Sequence, residues 1–180
     1  NYSNTKGAFS NYLFGTISGP YDQNAYILSR AFGFKLIQSG SGMPIPINAN
    51  DSTQYNFTTL DQQVNATINQ GMEPLLWLGM PSKQPANLTN YGTFIKNVIR
   101  HYMQGWNKGY YYKLKVVRWA NEPDLTNLNG TGVFWTGTQQ EFFDTYAAVS
   151  NAIKLLDGTI IIDAPGFAFP TSWSGNTRVL

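Results

Sequence analysis

Apolar and polar positions follow two rhythms along this chain. Short, largely apolar runs fall at 13–17 (LFGTI), 34–38 (FKLIQ), 74–79 (PLLWLG), 114–120 (LKVVRWA) and 159–163 (TIIID), each bounded by turn-forming residues. These runs predict strands. The stretch PLLWLG has no polar break, which predicts a strand buried on both faces. Between the runs, apolar residues recur every three to four positions. Ala25, Leu28 and Phe32, with Ile27 and Ala31 beside them, predict a first helix stopped at Gly33. Leu60, Val64 and Ile68 predict a second over 59–70, ended by Gly71. Phe94, Ile95, Val98, Ile99 and Tyr102 predict the inward face of a third over 91–104. A fourth spans 138–156, with Phe142, Phe143, Tyr146, Val149 and Ile153 as its core stripe. Residues 39–52, 80–89 and 124–137 are loops, residues 1–12 a polar arm, and the last dozen residues loop-like.

Strand and helix therefore alternate, with short joints from helix to strand and longer loops after strands. That is the grammar of a parallel α/β protein, closed either as an open doubly wound sheet or as a (β/α) barrel. No G-x-G-x-x-G or Walker-type loop follows a strand; Gly40-Ser41-Gly42 lacks the third glycine and a helix start in place. Polar residues instead gather at carboxyl ends of strands: Gln38, Asn121, Glu122 and Asp163. Barrel active sites are built there. The expectation is a (β/α)8 TIM-barrel type, of which residues 13–180 supply about five strands and four helices. A complete barrel takes typically about 250 residues.

Composition narrows the partners. Charged residues are 12% of the 180 and the net charge is +2, with no basic stripe. Neither a nucleic acid nor a membrane surface is implied, and no apolar run approaches a membrane span. The absence of Cys excludes thiolate metal sites and a Cys nucleophile. Asn1 is not an initiator, as in a processed form or a fragment. Six N-x-S/T sequons begin at Asn1, Asn50, Asn56, Asn65, Asn87 and Asn129. Each can accept an N-glycan in an exported protein; in an Asn- and Thr-rich chain some also arise by composition. With the low charge, they point to an extracellular or cell-surface glycoprotein.

The chemistry concentrates in KVVRWANEPD, residues 115–124. Glu122 leaves a strand between an amide and a proline. Apolar neighbours such as Trp119 and Trp135 favour a carboxyl that keeps a proton to donate. Asn121 can hold a sugar hydroxyl without adding charge, and Pro123 fixes the direction in which the chain departs. The plainer reading makes Glu122 an exposed loop residue before a turn. Trp135, in the following loop, is expected to be a platform for a sugar ring, whereas Trp77 and Trp119 are expected in the core. His101, the one histidine, reads as structural or solvent-facing, and a His-based zinc site is not expected.

Three segments carry a family resemblance: WANEPD, then YNFTTLDQQVNATINQGMEPLLWLGMP, then FWTGTQQEFFDTYAAVSNAIKLLDGTIIIDAPGFAF. Together they resemble a clan A glycoside hydrolase, and within the clan family 39, the β-xylosidases and α-iduronidases. The likeness covers about residues 13 to 170. It implies that Glu122 is the general acid/base and that Asn121 contacts the hydroxyl beside the anomeric carbon. It also implies retention of configuration, with a second Glu about 5–5.5 Å away as nucleophile, from a seventh strand that this sequence does not contain. Asp163 is not that nucleophile; as a strand-end residue it is expected to cap a turn. Two departures stand out. Ala120 replaces the Trp usual before the Asn, and in this the chain is similar to the glucuronidase group with its G-N-E-P-D segment. Strand two ends in Gln38-Ser39 where the family commonly places Arg and His near the sugar, so the glycone subsite is altered around Gln38.

The function implied is an extracellular retaining glycoside hydrolase of carbohydrate metabolism that needs two carboxylates and no cofactor. The alternative is a non-catalytic glycan-binding or structural cell-surface glycoprotein on the same scaffold. If the chain ends at Leu180, its fifth strand is an open edge. It is then expected to need the remaining barrel half or another subunit.

Overall fold

The computed structural model describes residues 15–16, 23–40, 43–126 and 130–163. Its elements alternate as the pattern requires: β1 (Gly15–Thr16), α1 (Gln23–Ala31), β2 (Leu36–Ser39), α2 (Thr58–Asn69), β3 (Glu73–Trp77), α3 (Leu88–Gln104), β4 (Val116–Arg118), α4 (Gln139–Leu156) and β5 (Ile161–Asp163). The expected arm at 1–12, most of the run at 13–17, Ala164-Pro165-Gly166 and the terminal loop lie outside the described residues. The strands form one sheet in the order β1-β2-β3-β4-β5, and every pair is parallel. Sequential parallel strands joined through helices make a barrel-type arrangement; a doubly wound sheet would reverse its strand order at a switch point.

Side-chain alternation gives each strand two faces. On one, Ile37 packs with Tyr26 and Met72, Ser39 shares a hydrogen bond with Thr67 of α2 (3.0 Å), and Trp119 lies 5.2 Å from the Phe142 ring of α4. This is the helix-covered core. The intervening residues Leu36, Gln38, Leu75, Trp77, Val116 and Arg118 point to the opposite, inner face. The register sets Trp77, Arg118 and Asp163 in one row across β3, β4 and β5.

Local chemistry explains the boundaries. The Asn87 side chain caps α3 by accepting from the Asn90 N–H, and Gly105 ends that helix in the left-handed conformation. Thr138 and Glu141 form a reciprocal capping box on α4. The glycine at 40 serves a close approach: a Cβ there would sit 2.5 Å from the Trp77 carbonyl oxygen. The long loop after β2 is pinned to α3. Ala49 N–H donates to Asn90 Oδ1 (2.8 Å), and Ala49 O accepts from Tyr55 and Asn97 (both 2.8 Å). Neutral amides and phenols do this work in a chain with few charges.

Three expectations about packing are corrected. Leu28 and Phe32 of α1 are exposed, Phe32 at 77%, and Ile27 is half-exposed; α1 buries Tyr26 instead. Phe143 leaves the α4 stripe for the surface, while Phe142, Val149 and Ile153 stay buried. The continuous apolar run of β3 is buried on alternate residues, because Leu76 and Leu78 face the helices and Leu75 and Trp77 face inward.

Candidate active site

The inner face carries few polar groups at the carboxyl end of the sheet, and Arg118 binds them together. Its side chain is 14% exposed. Nη1 donates to Gln38 Oε1 at 3.3 Å and Nη2 to Asn121 Oδ1 at 3.2 Å. Nε lies 3.6 Å from Asp163 Oδ2, an ion-pair distance too long for a hydrogen bond. One cation thus reaches from β2 to β5 and meets three of the four polar strand-end residues read from the sequence: Gln38, Asn121 and Asp163. Asp163 stands beside Arg118, and the turn that it was expected to cap lies outside the described residues.

Glu122, the fourth, is half-buried and adopts φ +44. A side-chain-bearing residue in the left-handed region costs about 1–3 kcal/mol, and such outliers cluster at functional sites. The surrounding loop supports the conformation. Glu122 O accepts from the Leu125 N–H (3.1 Å), and Leu125 O accepts from the Val133 N–H (2.8 Å). Thr136 donates twice to Ser82 O, from N–H at 2.6 Å and from Oγ1 at 2.9 Å, which ties this loop to the loop after β3. Pro123 and Asp124, the central residues of that turn, are buried.

Two of the three tryptophans singled out from the sequence depart from expectation. Trp135 is 1% exposed, donates its indole N–H to Thr138 O (3.0 Å) and meets Phe142 edge to face at 5.5 Å. Its ring is spent on the start of α4, so it is not a sugar platform. Trp119 is core, as expected; its indole N–H donates to Tyr91 Oη (2.7 Å). Both indoles are packed against the helices, Trp119 on α3 and α4 and Trp135 on α4. Trp77, expected in the core, is partly exposed on the inner face, and its buried Nε1 has no acceptor among the described residues.

His101 is buried and structural. Its Nδ1 contacts Trp106 O (2.9 Å), its Nε2 contacts Asp61 Oδ1 (3.0 Å), and its ring stacks on Phe57 at 3.6 Å. It sits in the last turn of α3, at the end of the sheet away from Glu122. Tyr102 donates to the same Asp61 oxygen (2.8 Å), and burial, reinforced by that carboxylate, pushes its phenol well above the ordinary range. A cavity of about 320 Å³ between the loops after β2 and β3 is lined by Met43, Ile45, Met80, Tyr91 and Phe94, among others, and by none of the strand-end polar residues. Among the described residues no cluster of His, Cys, Asp or Glu suits a metal, and no helix is long and apolar enough to cross a membrane.

Of the sequon residues, Asn50 and Asn56 are exposed, and Asn87 is exposed as the α3 cap. The Asn65 amide is engaged on both sides, donating to Tyr110 Oη (3.0 Å) and accepting from Tyr112 Oη (2.7 Å). Asn1 and Asn129 lie outside the described residues.

Sequence reasoning missed Arg118 and the inner-face placement of Trp77. Both were within reach. Arg118 interrupts an apolar strand in a chain poor in charge, and alternation sets it opposite Trp119. Trp77 alternates with Leu76 and Leu78 in the same way.

The profile described as Glycosyl hydrolases family 39 matches residues 41–176. A β-xylosidase from Caldicellulosiruptor saccharolyticus is 24% identical over 131 residues, covering 63% of this chain and 26% of that protein. A glucosidase from Croceicoccus marinus superposes with a TM-score of 0.73 at 23% identity, covering 89% of this chain and 38% of its own. The bacterial orthologue of human α-L-iduronidase superposes with a TM-score of 0.60 at 13% identity, covering 91% and 28% respectively. The chain thus spans about a quarter of the curated relative that it matches. The structural likenesses show the fold, a portion of a TIM-type (β/α) barrel.

Proposed function

The chain belongs to glycosyl hydrolases family 39, and from that premise we propose that the protein is a retaining glycoside hydrolase with Glu122 as its general acid/base. The observation that carries the reading is the backbone of Glu122. A strained backbone at Glu122, just past β4 and next to an asparagine bonded to the largely buried Arg118, supports a functional role for this carboxyl. Protonated Glu122 delivers its proton to the glycosidic oxygen as the bond to the anomeric carbon breaks. A carboxylate about 5–5.5 Å away forms the glycosyl-enzyme bond. Glu122, now ionised, takes a proton from the water that cleaves the intermediate. Asn121 holds the hydroxyl next to the anomeric carbon, and Gln38 shares its Arg118 partner. No cofactor enters these steps. Export from the cell belongs to the same reading, supported by the exposed sequon residues Asn50 and Asn56.

The test is turnover of aryl xylosides, glucosides and glucuronides by the full-length protein and by Glu122→Gln. The substitution is expected to cost about 10²–10⁴-fold on a poor leaving group. It should cost far less in glycosyl-enzyme formation from a dinitrophenyl glycoside, whose leaving group needs no proton. Equal activity of the two proteins on the poor leaving group refutes the assignment. Glycan binding without turnover by the wild type would favour the non-catalytic reading.

A further inference from the structure

We infer that Arg118 is the positioning residue of this site: it decides which end of the Asn121 amide meets the substrate. The inference rests on the roles of Glu122 and Asn121 given above. An amide carries an acceptor oxygen and a donor NH₂, and a guanidinium carries donors alone. With Arg118 Nη2 3.2 Å from Asn121 Oδ1, the reversed amide would set N–H against N–H. Asn121 is thereby held with its oxygen turned to Arg118 and its NH₂ available to a ligand. Arg118 Nη1 fixes Gln38 in the same sense from β2, at 3.3 Å from Oε1. The guanidinium is itself held, because it is largely buried and Asp163 lies beside Nε at 3.6 Å. Two amides, one on β2 and one just past β4, are thus set to donate, and the ligand they fit presents oxygen lone pairs. For a glycoside this means a hydroxyl bound through its oxygen. The hydroxyl's own proton remains free for another acceptor.

The experiment measures kcat/KM of the full-length protein on an aryl glycoside that it turns over and on the 2-deoxy analogue. The proteins compared are wild type, Asn121→Ala, Arg118→Met, Arg118→Lys and the Asn121→Ala/Arg118→Met double variant. Losing one buried hydrogen bond to the hydroxyl is expected to cost about tenfold to a hundredfold. Arg118→Met and Asn121→Ala should each lose that factor on the hydroxylated substrate and less than about threefold on the 2-deoxy one. The double variant should lose no more than either alone, since both changes remove the same contact. Arg118→Lys keeps the charge, but a point cation cannot order two amides at once; it should lose at least about fivefold on the hydroxylated substrate alone. If Arg118→Met does not fold, that lysine variant carries the test. A loss at Asn121→Ala that is equal on both substrates overturns the reading of Asn121, and the inference falls with it. A substrate-dependent loss at Asn121, with Arg118 variants that lose equally on both substrates or lose nothing, overturns the inference alone. A wild type without turnover overturns both.

Discussion

Tyr91→Phe tests whether α3 anchors the strand that carries the site. Trp119 lies between Arg118 and Ala120 and is 0% exposed, and its indole N–H donates to Tyr91 Oη at 2.7 Å. The other contact of that hydroxyl, to Gly79 O, is 3.4 Å and adds little. Removing the oxygen keeps the Tyr91–Phe94 ring contact (5.9 Å) but leaves a buried indole donor without an acceptor. The cost of such an orphan is about 1–3 kcal/mol. With a urea dependence of about 1–3 kcal/mol per molar, the unfolding midpoint should fall by roughly half a molar or more, read by tryptophan fluorescence. Burial also pushes the Tyr91 phenol above its ordinary value of 10, and the Trp119 bond offsets only part of that shift. The folded state then keeps a proton that the unfolded chain releases. Stability from this group is complete below about pH 10 and lost above it, at about 1.4 kcal/mol per pH unit. Tyr91→Phe should remove one proton's worth of that alkaline slope. Stability at pH 7 within about 0.3 kcal/mol of wild type, with the alkaline slope intact, refutes the reasoning.

Trp135→Ala should cost about 3–5 kcal/mol in denaturant unfolding and leave KM for aryl glycosides unchanged; a raised KM at unaltered stability would restore the sugar-platform role. Glu122→Gly should abolish turnover while raising stability by about 0.5–1 kcal/mol in thermal melts, because it releases the left-handed strain. In acid, Thr138 hydrogen bonds hold the Glu141 carboxyl below its ordinary range, as Thr159 does for Asp157. Their contribution is present above about pH 4 and fades as pH falls through the depressed values; Glu141→Gln should flatten that acid limb in pH-resolved unfolding. When the protein is expressed through a secretory pathway, glycopeptide mapping should find Asn50 and Asn56 occupied and Asn65 bare, since both ends of the Asn65 amide are already bonded.

The order of elements was legible because each carries its own period and punctuation. The fourth helix, predicted over 138–156, is Gln139–Leu156 with Thr138 as its cap, and the N-E-P loop follows a strand as expected. Burial was harder to read, because amphipathicity says that a face exists without saying what covers it. Leu28 and Phe32 fit a helical stripe and are nonetheless exposed. Trp135 looked like a loop aromatic facing a ligand. Its spacing ahead of the Thr138 cap held the better signal, since an aromatic there can fold back onto Phe142 in the manner of a hydrophobic staple. Gln38, Asn121 and Asp163 were found one by one as polar strand ends. Their common partner, Arg118, appears only when alternation is followed residue by residue through β4.

The unbroken strand order has a consequence in time. Every strand pairs with the one made just before it. A ribosome takes on the order of seconds to add each strand and its helix, whereas a helix forms in about a microsecond. The sheet can therefore grow outward from β1 as the chain emerges, with each helix settling over the strand that preceded it. The site is assembled on the same schedule. Among the residues that meet at Arg118, Gln38 is laid down first, Arg118 with Asn121 later, and Asp163 after them. Between the two final arrivals the Arg118 cation has its amides but not its counterion. Tyr91 and Trp119, whose hydrogen bond ties α3 to the end of β4, are likewise made before Asp163.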